Sequence, residues 1–412
     1  MFRIIIPVCI LLSACGRQEN AGIPGENSKK VASLYVWNRD WHSRDITESA
    51  KVFADSDFYF LAVEFTGKST DRVVPAESFF RLKNPMTPVF RIHLDCFRKY
   101  YKDIPSLAER IKKEYACIKN KALKAGKRLR TLQVDLDCPV SKLDAYADLM
   151  RALEQNLPEG TVLSFTALPC HLKSWSFTKL AESADFYVLQ VHGLEVPQNI
   201  SDKVSVYNHR TAENAVTLAE TLGCPYLLAL PDYAYQLNFD SETGKFLYLN
   251  AEKIPEQSEK VVAETTVPDW NAVSRMVKLA GKELKSCSGI IWFRMPVYGD
   301  RFCLDSESLL ELQRGEIPLQ RITAELEQQK NGTFLLMIKN KGILDIGKVV
   351  VNIKWKSSEG IYDLFQGWHT ESETPLCGMP SVIAGSIPSP GIKVPVGWFR
   401  PENNIGVSAN TI

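Results

Sequence analysis

Eight short apolar runs recur between residues 33 and 294, and they limit the folds open to this chain more than any other feature. They are Ser33–Trp37, Phe58–Phe65, Val89–Leu94, Thr131–Asp137, Thr161–Leu168, Phe186–Val191, Tyr226–Leu230 and Ile290–Arg294. Many are apolar almost throughout, as strands buried on both faces must be. Stretches with helical periodicity lie between them. Leu143, Tyr146, Leu149, Met150 and Leu153 fall at helical spacing behind an approximate capping box, Ser141 to Asp144, and Pro158-Glu159-Gly160 ends that segment. Ala212–Leu222, closed by Gly223, and Asp269–Leu284 read the same way. Strand and helix alternating eight times predict a (β/α)8 TIM-like barrel over residues 31–315. An open doubly wound sheet is the competing topology, but the chain has no GxGxxG or GxxxxGK[ST] loop to support it. Val204–Tyr207 is a ninth apolar run, so the strand count is open by one.

The texture changes near Glu316. Ile322–Leu326, Thr333–Lys339, Lys348–Trp355 and Ile361–Phe365 are strand candidates separated by Gly-containing turns, and no long helical period follows. Residues 316–412 are therefore expected to form a small all-β, sandwich-like C-terminal domain.

The first fourteen residues have signal-peptide layout. Arg3 is followed by the apolar run Ile4–Leu12 and the small residues Ser13 and Ala14. Leu12-Ser13-Ala14-Cys15 resembles a bacterial lipobox, which implies cleavage before Cys15 and lipidation of its thiol. The polar segment 15–30 then reads as a flexible tether. The expected location is the cell envelope, exported and anchored in a membrane through lipid at Cys15; in a Gram-negative source this would be the outer membrane. With 49 Lys+Arg against 48 Asp+Glu the net charge is +1, and no block of like charge stands out, so nucleic acid is not an expected partner. No cofactor motif is found. Ten cysteines lie at 9, 15, 96, 117, 138, 170, 224, 287, 303 and 377 without a CxxC pair. Export permits disulfides, Cys96 with Cys138 or Cys138 with Cys170 among them.

The polar residues at the carboxyl ends of the apolar runs are the candidate site, because barrel active sites form at that end. The third run finishes with His93 and Asp95 on one face. The fourth brings Gln133, Asp135 and Asp137 onto one face. Glu64, Gln190, His192 and Arg294 end the second, sixth and eighth runs, and Asp232 follows the seventh. An inward row of Gln and two Asp is costly unless solvated or hydrogen-bonded. Paired carboxylates supply the acid that glycoside cleavage needs. Asp135 and Asp137 equally suit helix capping, or bracing the barrel through Arg294.

Gln133-x-Asp135-x-Asp137-Cys138-Pro139, a helix ending Leu157-Pro158, and Val162–Ala167 resemble the fourth-strand region of chitinase-like glycosidases. Those enzymes carry Asp-x-Asp-x-Glu before an aromatic-Pro pair. Here Gln133 replaces the first Asp, Asp135 matches the middle one, and Asp137 replaces the catalytic Glu, one methylene shorter. Over most of the barrel, Tyr35-Val36-Trp37 with Trp41, Leu132–Cys138, Leu163–Pro169 and Val188–Gly193 resemble a family of uncharacterised bacterial lipoproteins catalogued as a domain of unknown function. The resemblance implies a barrel and supplies no activity.

The leading functional expectation is a glycoside-hydrolase-like lipoprotein acting on or binding a polysaccharide or oligosaccharide. Asp137 would be the acid, Asp135 its partner or a substrate-orienting group, and Glu64 or Asp232 a stabiliser of the sugar cation. Gln133, His93, Asp95, Gln190, His192, Arg294, Trp37 and Trp41 are the expected substrate contacts, with Trp41 the preferred stacking platform, Trp175 a further aromatic candidate, and Trp292, within an apolar strand, expected inward or in the core. A non-catalytic glycan-binding or assembly lipoprotein on a degenerate barrel is the alternative. A metal-dependent hydrolase using His93, Asp95, Asp137 and His192 is a second, without HExxH support. No dedicated metal site is expected.

Overall fold

The computed structural model describes residues 32–411 apart from 40, 42–43, 74, 252–259, 345–347, 355–359, 372–379, 381 and 403–407. The expected signal segment, tether and Cys15 lie outside the described residues. No described helix is long and apolar enough to cross a membrane.

The eight apolar runs are eight parallel strands: β1 (Ser33–Val36), β2 (Asp57–Phe65), β3 (Met86–Ile92), β4 (Thr131–Asp135), β5 (Val162–Ala167), β6 (Phe186–Gln190), β7 (Tyr226–Pro231) and β8 (Cys287–Phe293). Each pairs with its successor, and β1 closes the ring on β8 with Ser33 beside Ile291. Val204–Tyr207 is not a strand; it is loop, with Val206 accepting from Gly193 N–H at 3.0 Å.

Alternation along each strand divides the apolar residues into two sets. Tyr35, Tyr59, Val89, Val188, Leu227, Ala229 and Ile291 pack together inside the ring. Leu34, Phe58, Phe90, Val134, Phe165, Leu228 and Trp292 face the helices. Trp292 is thus core, not a stacking surface. The interior also takes Gln133 and Ser164, both buried. Tyr35 Oη donates to Gln133 Oε1 at 2.7 Å, and Gln133 Nε2 donates to Ser164 Oγ at 3.4 Å. This chain satisfies an amide that would otherwise cost about 1–3 kcal/mol to bury.

Local chemistry sets the helix ends. Asn208 caps His209–Leu222 by accepting from Thr211 N–H, and Gly223 ends it at φ +70°. Asp269 caps Trp270–Lys282 through Asn271 and Ala272. The expected Ser141–Asp144 capping box does not form. A 3-10 turn, Val140–Lys142, precedes helix Leu143–Asn156, and Asp144 instead accepts from Ser176 Oγ and Lys179 Nζ on the next helix.

Two features depart from the sequence reading. A three-stranded antiparallel sheet, in the order Phe246–Asn250, Tyr235–Asp240, Val261–Thr266, is inserted after β7. Of the seven described cysteines (96, 117, 138, 170, 224, 287 and 303), Cys96, Cys138 and Cys170 are free thiols, which removes both expected disulfides. Cys96 lies inside helix Leu94–Tyr100 and Cys138 in the turn after β4, so they do not occupy equivalent strand ends. Most are buried and pack as small hydrophobes.

The C-terminal region holds two four-stranded antiparallel sheets. One contains β9 (Arg321–Gln328), β10 (Phe334–Lys341), β12 (Gly360–Leu364) and β15 (Lys393–Pro401). The other contains β11 (Lys348–Lys354), β13 (Trp368–Thr370), β14 (Val382–Ser386) and β16 (Ser408–Thr411). Leu336, Ile338, Val396 and Phe399 of the first meet Val349, Val351, Ile353 and Ile383 of the second in one core.

Candidate functional site at the barrel mouth

β4 ends at Asp135, two residues earlier than the sequence pattern suggested. Leu136 N–H leaves the ladder and donates to Thr166 Oγ1 at 3.2 Å, and Cys138 N–H turns back onto Leu136 O at 2.7 Å. Pro139 has no N–H with which to resume pairing. The two acids therefore sit in different surroundings. The Asp135 side chain is 2% exposed and that of Asp137 45%.

One residue joins them. Arg91, paired in register with Asp135 across β3 and β4, donates from Nη1 to Asp135 Oδ2 at 2.5 Å and from Nη2 to Asp137 Oδ2 at 2.8 Å. Asp135 Oδ1 accepts from Thr166 Oγ1 at 2.8 Å and from Gln190 Nε2 at 3.5 Å. Asp135 foremost, and Asp137 with it, push the Arg91 guanidinium above its ordinary value although burial opposes them. The expected brace from Arg294 is absent. Arg294 pairs instead with Asp300 at 2.5 Å and donates to Ala251 O at 3.2 Å.

A second charged group flanks the clamp. Arg39 grips Glu64 through Nε (2.9 Å) and Nη2 (3.0 Å), and His93 Nε2 lies 3.4 Å from Glu64 Oε1. Burial, the largest influence, raises the Glu64 carboxyl, but Arg39 and His93 together hold it below its ordinary value. Aromatic rings continue the wall. The Arg91 guanidinium lies 5.9 Å from the Trp37 ring, Trp37 5.5 Å from Phe293, and Phe293 5.2 Å from His192, which it stacks against. His192 Nδ1 is 3.3 Å from Tyr233 Oη. Burial lowers His192 to about 4, so its ring is neutral at pH 7.

The structure thus brings Trp37, Glu64, His93, Gln190 and His192 to one mouth with Asp135 and Asp137. Gln133 lies one layer deeper. Four candidates fall elsewhere, Arg294 with its contacts to Asp300 and Ala251 O being the first. Asp95 belongs to the first turn of a helix, and both its carboxylate oxygens are taken up by backbone, accepting from Gly67 and Cys96 N–H. Trp41 is 6% exposed with its ring 4.7 Å from Phe79; polar neighbours in sequence masked a core residue. Asp232 is fully buried beside Cys303 and Arg294, and burial drives its carboxyl well above the ordinary range. A carboxyl with no exposed surface is out of reach of a sugar cation.

His93, Asp95, Asp137 and His192 do not converge. Among the described residues no group of three or more His, Cys, Asp or Glu is placed to hold a metal ion. Cys138 is no better a nucleophile, since burial pushes its thiol up to about 12. A cavity of about 440 Å³ lies to one side, between the loop after β8 and the β domain. Tyr298, Leu304, Glu307, Lys339 and Ile392 are among its lining.

The sequence reading passed over two residues. Arg91 carried a signal: an arginine on the inward face of β3, in register with an inward aspartate. His171 carried none. Its Nδ1 accepts from Leu168 N–H at 3.1 Å, so the ring is neutral and Nε2–H donates to Cys138 O at 2.7 Å. This fully buried ring fixes the turn that presents Asp137.

Eight parallel strands closed into a ring with helices outside define a (β/α)8 TIM barrel, and a solved structure agrees at the level of fold. A chitinase-like C-terminal domain from Desulfitobacterium hafniense DCB-2 superposes with TM-score 0.52 at 11% identity, covering 69% of this chain and 99% of that one. The Bacillus cereus spore cortex-lytic enzyme SleL gives 0.48 at 12%, covering 65% and 71%. The Chromobacterium violaceum chitinase gives 0.48 at 10%, covering 69% and 98%. Residues 103–298 match the family model described as a domain of unknown function, DUF3142. No curated protein matches the sequence.

Proposed function

We propose that this protein binds a polysaccharide at the mouth of a chitinase-like barrel and holds it without hydrolysing it. One observation carries the reading: Arg91 spans Asp135 and Asp137. A general acid must deliver a proton to the glycosidic oxygen. Asp137 Oδ2 is instead tied to the Arg91 guanidinium, which holds the carboxyl against the barrel wall and turns that oxygen away from a glycosidic oxygen. Gln133 and the short Asp137 side chain, in the positions where the resembling glycosidases carry Asp and Glu, favour the same conclusion. The exposed edges of Arg39, His93 and Asp137 supply donors and acceptors for hydroxyl and acetamido groups, and Trp37 supplies an apolar face.

The chitinase neighbours make polymers of N-acetylated amino sugars the class to try first. Retention on insoluble chitin and on purified peptidoglycan tests this. Wild type is expected to be retained on at least one and Asp137→Ala to be released. Equal retention of both proteins, or of neither, would remove the mouth as the binding site.

A second reading, hydrolysis with Asp137 as the acid, draws on the 45% exposure of that side chain, which leaves it within reach of a ligand that displaces Arg91. In either case the lipobox-like Cys15 supports anchoring at the cell envelope, where such polymers occur.

A further inference from the structure

Trp175 is 83% exposed, more than any other large apolar side chain described. Tryptophan is usually buried for most of its surface, and one left in water forgoes that gain. Its position is fixed. It is the first residue of helix Trp175–Ala181, and Ser174 caps that helix by accepting from Ser176 N–H. Ser176 Oγ and Lys179 Nζ both reach Asp144, which ties this helix start to the segment that follows Asp137. Helices following barrel strands begin at the carboxyl face, so the indole stands on the same rim as the candidate site. His171, whose ring bonds Cys138 O, lies four residues before it; four residues reach at most about 14 Å. Trp175 therefore stands within a short stretch of chain of the turn that presents Asp137.

We propose that Trp175 is an outer sugar platform of the barrel mouth, and that the ligand is an extended oligosaccharide of about four or more rings, not a mono- or disaccharide. The proposal rests on the binding reading above. The surroundings select a sugar over an apolar protein partner or a bilayer. A flat indole flanked by Lys173, Ser176, Lys179 and Asp144 offers one stacking face amid hydrogen-bonding groups, as a pyranose requires. A hydrophobic partner needs a contiguous apolar patch.

Calorimetric titration with N-acetylglucosamine oligomers tests this, comparing the dimer with the hexamer on wild type and Trp175→Ala. The side chain is exposed, so the variant should fold. The dimer is expected to bind both proteins alike. The hexamer is expected to bind the variant roughly tenfold more weakly, as loss of an aromatic anchor does, and Trp175→Phe should recover most of the loss. Hexamer affinity unchanged in Trp175→Ala overturns the platform and leaves the mouth reading standing. Failure of wild type to bind either oligomer overturns both. Loss of partition onto anionic phospholipid vesicles, with hexamer affinity unchanged, reassigns Trp175 to a membrane contact and overturns the proposal.

Discussion

Removing Arg91 tests the site's electrostatics most severely. Arg91→Met keeps the apolar stem and deletes the guanidinium. Asp135, 2% exposed, is then left with Thr166 and the long Gln190 contact as its only named side-chain donors. An uncompensated buried carboxylate typically costs about 3–5 kcal/mol. Asp137 adds little, because a half-exposed partner is screened by solvent. In a barrel of this size that is a fall in Tm of roughly 6–20 °C. Urea denaturation of Arg91→Met, Asp135→Asn and the double variant gives the coupling directly. The double variant should recover most of what Arg91→Met loses, and Asp137→Asn alone should lose less than about 1 kcal/mol. Arg91→Met within about 1 kcal/mol of wild type would refute the clamp.

Three further outcomes are expected. His192 titrates near 4 when folded and near its ordinary value of 6.5 when unfolded, so only the unfolded chain takes up its proton between those values. Its contribution is present above pH 6.5 and is lost as pH falls toward 4, by up to roughly 3 kcal/mol. His192→Phe should lack that slope in urea midpoints measured at pH 7 and pH 4.5; identical slopes would place His192 in water. His171→Phe strands Leu168 N–H and Cys138 C=O and should cost about 2–6 kcal/mol in the same assay; a loss below about 1 kcal/mol would show that neither bond holds the turn. Metabolic labelling with palmitate should mark the full-length chain in a bacterial host and fail for Cys15→Ser, whereas equal labelling would show that no lipid is attached at Cys15.

The barrel was legible because its strands are buried on both faces, and this leaves apolar runs that stand out from the amphipathic helices between them. The direction of the acids followed from alternation, and Asp135 does face inward. The end of β4 was not legible, because Leu136 leaves the ladder for Thr166 Oγ1, a partner thirty residues away. Trp41 and Asp232 misled for a related reason. Trp41 has polar sequence neighbours and Asp232 stands just past the end of β7, but what buries them comes from elsewhere in the chain: Phe79 for Trp41, Arg294 and Cys303 for Asp232. Arg91 was legible in principle. Once β3 and β4 are taken as parallel neighbours, an inward arginine faces an inward aspartate. The sequence offered Arg294 as the countercharge for the two acids, whereas Arg91 on the neighbouring strand holds that place.

Product analysis after prolonged incubation with N-acetylglucosamine hexamer, alongside its calorimetric titration, tests the central claim most directly. The account predicts saturable binding at the mouth with the hexamer recovered intact. Shorter oligomers released by wild type and not by Asp137→Asn would contradict it and establish Asp137 as a working acid.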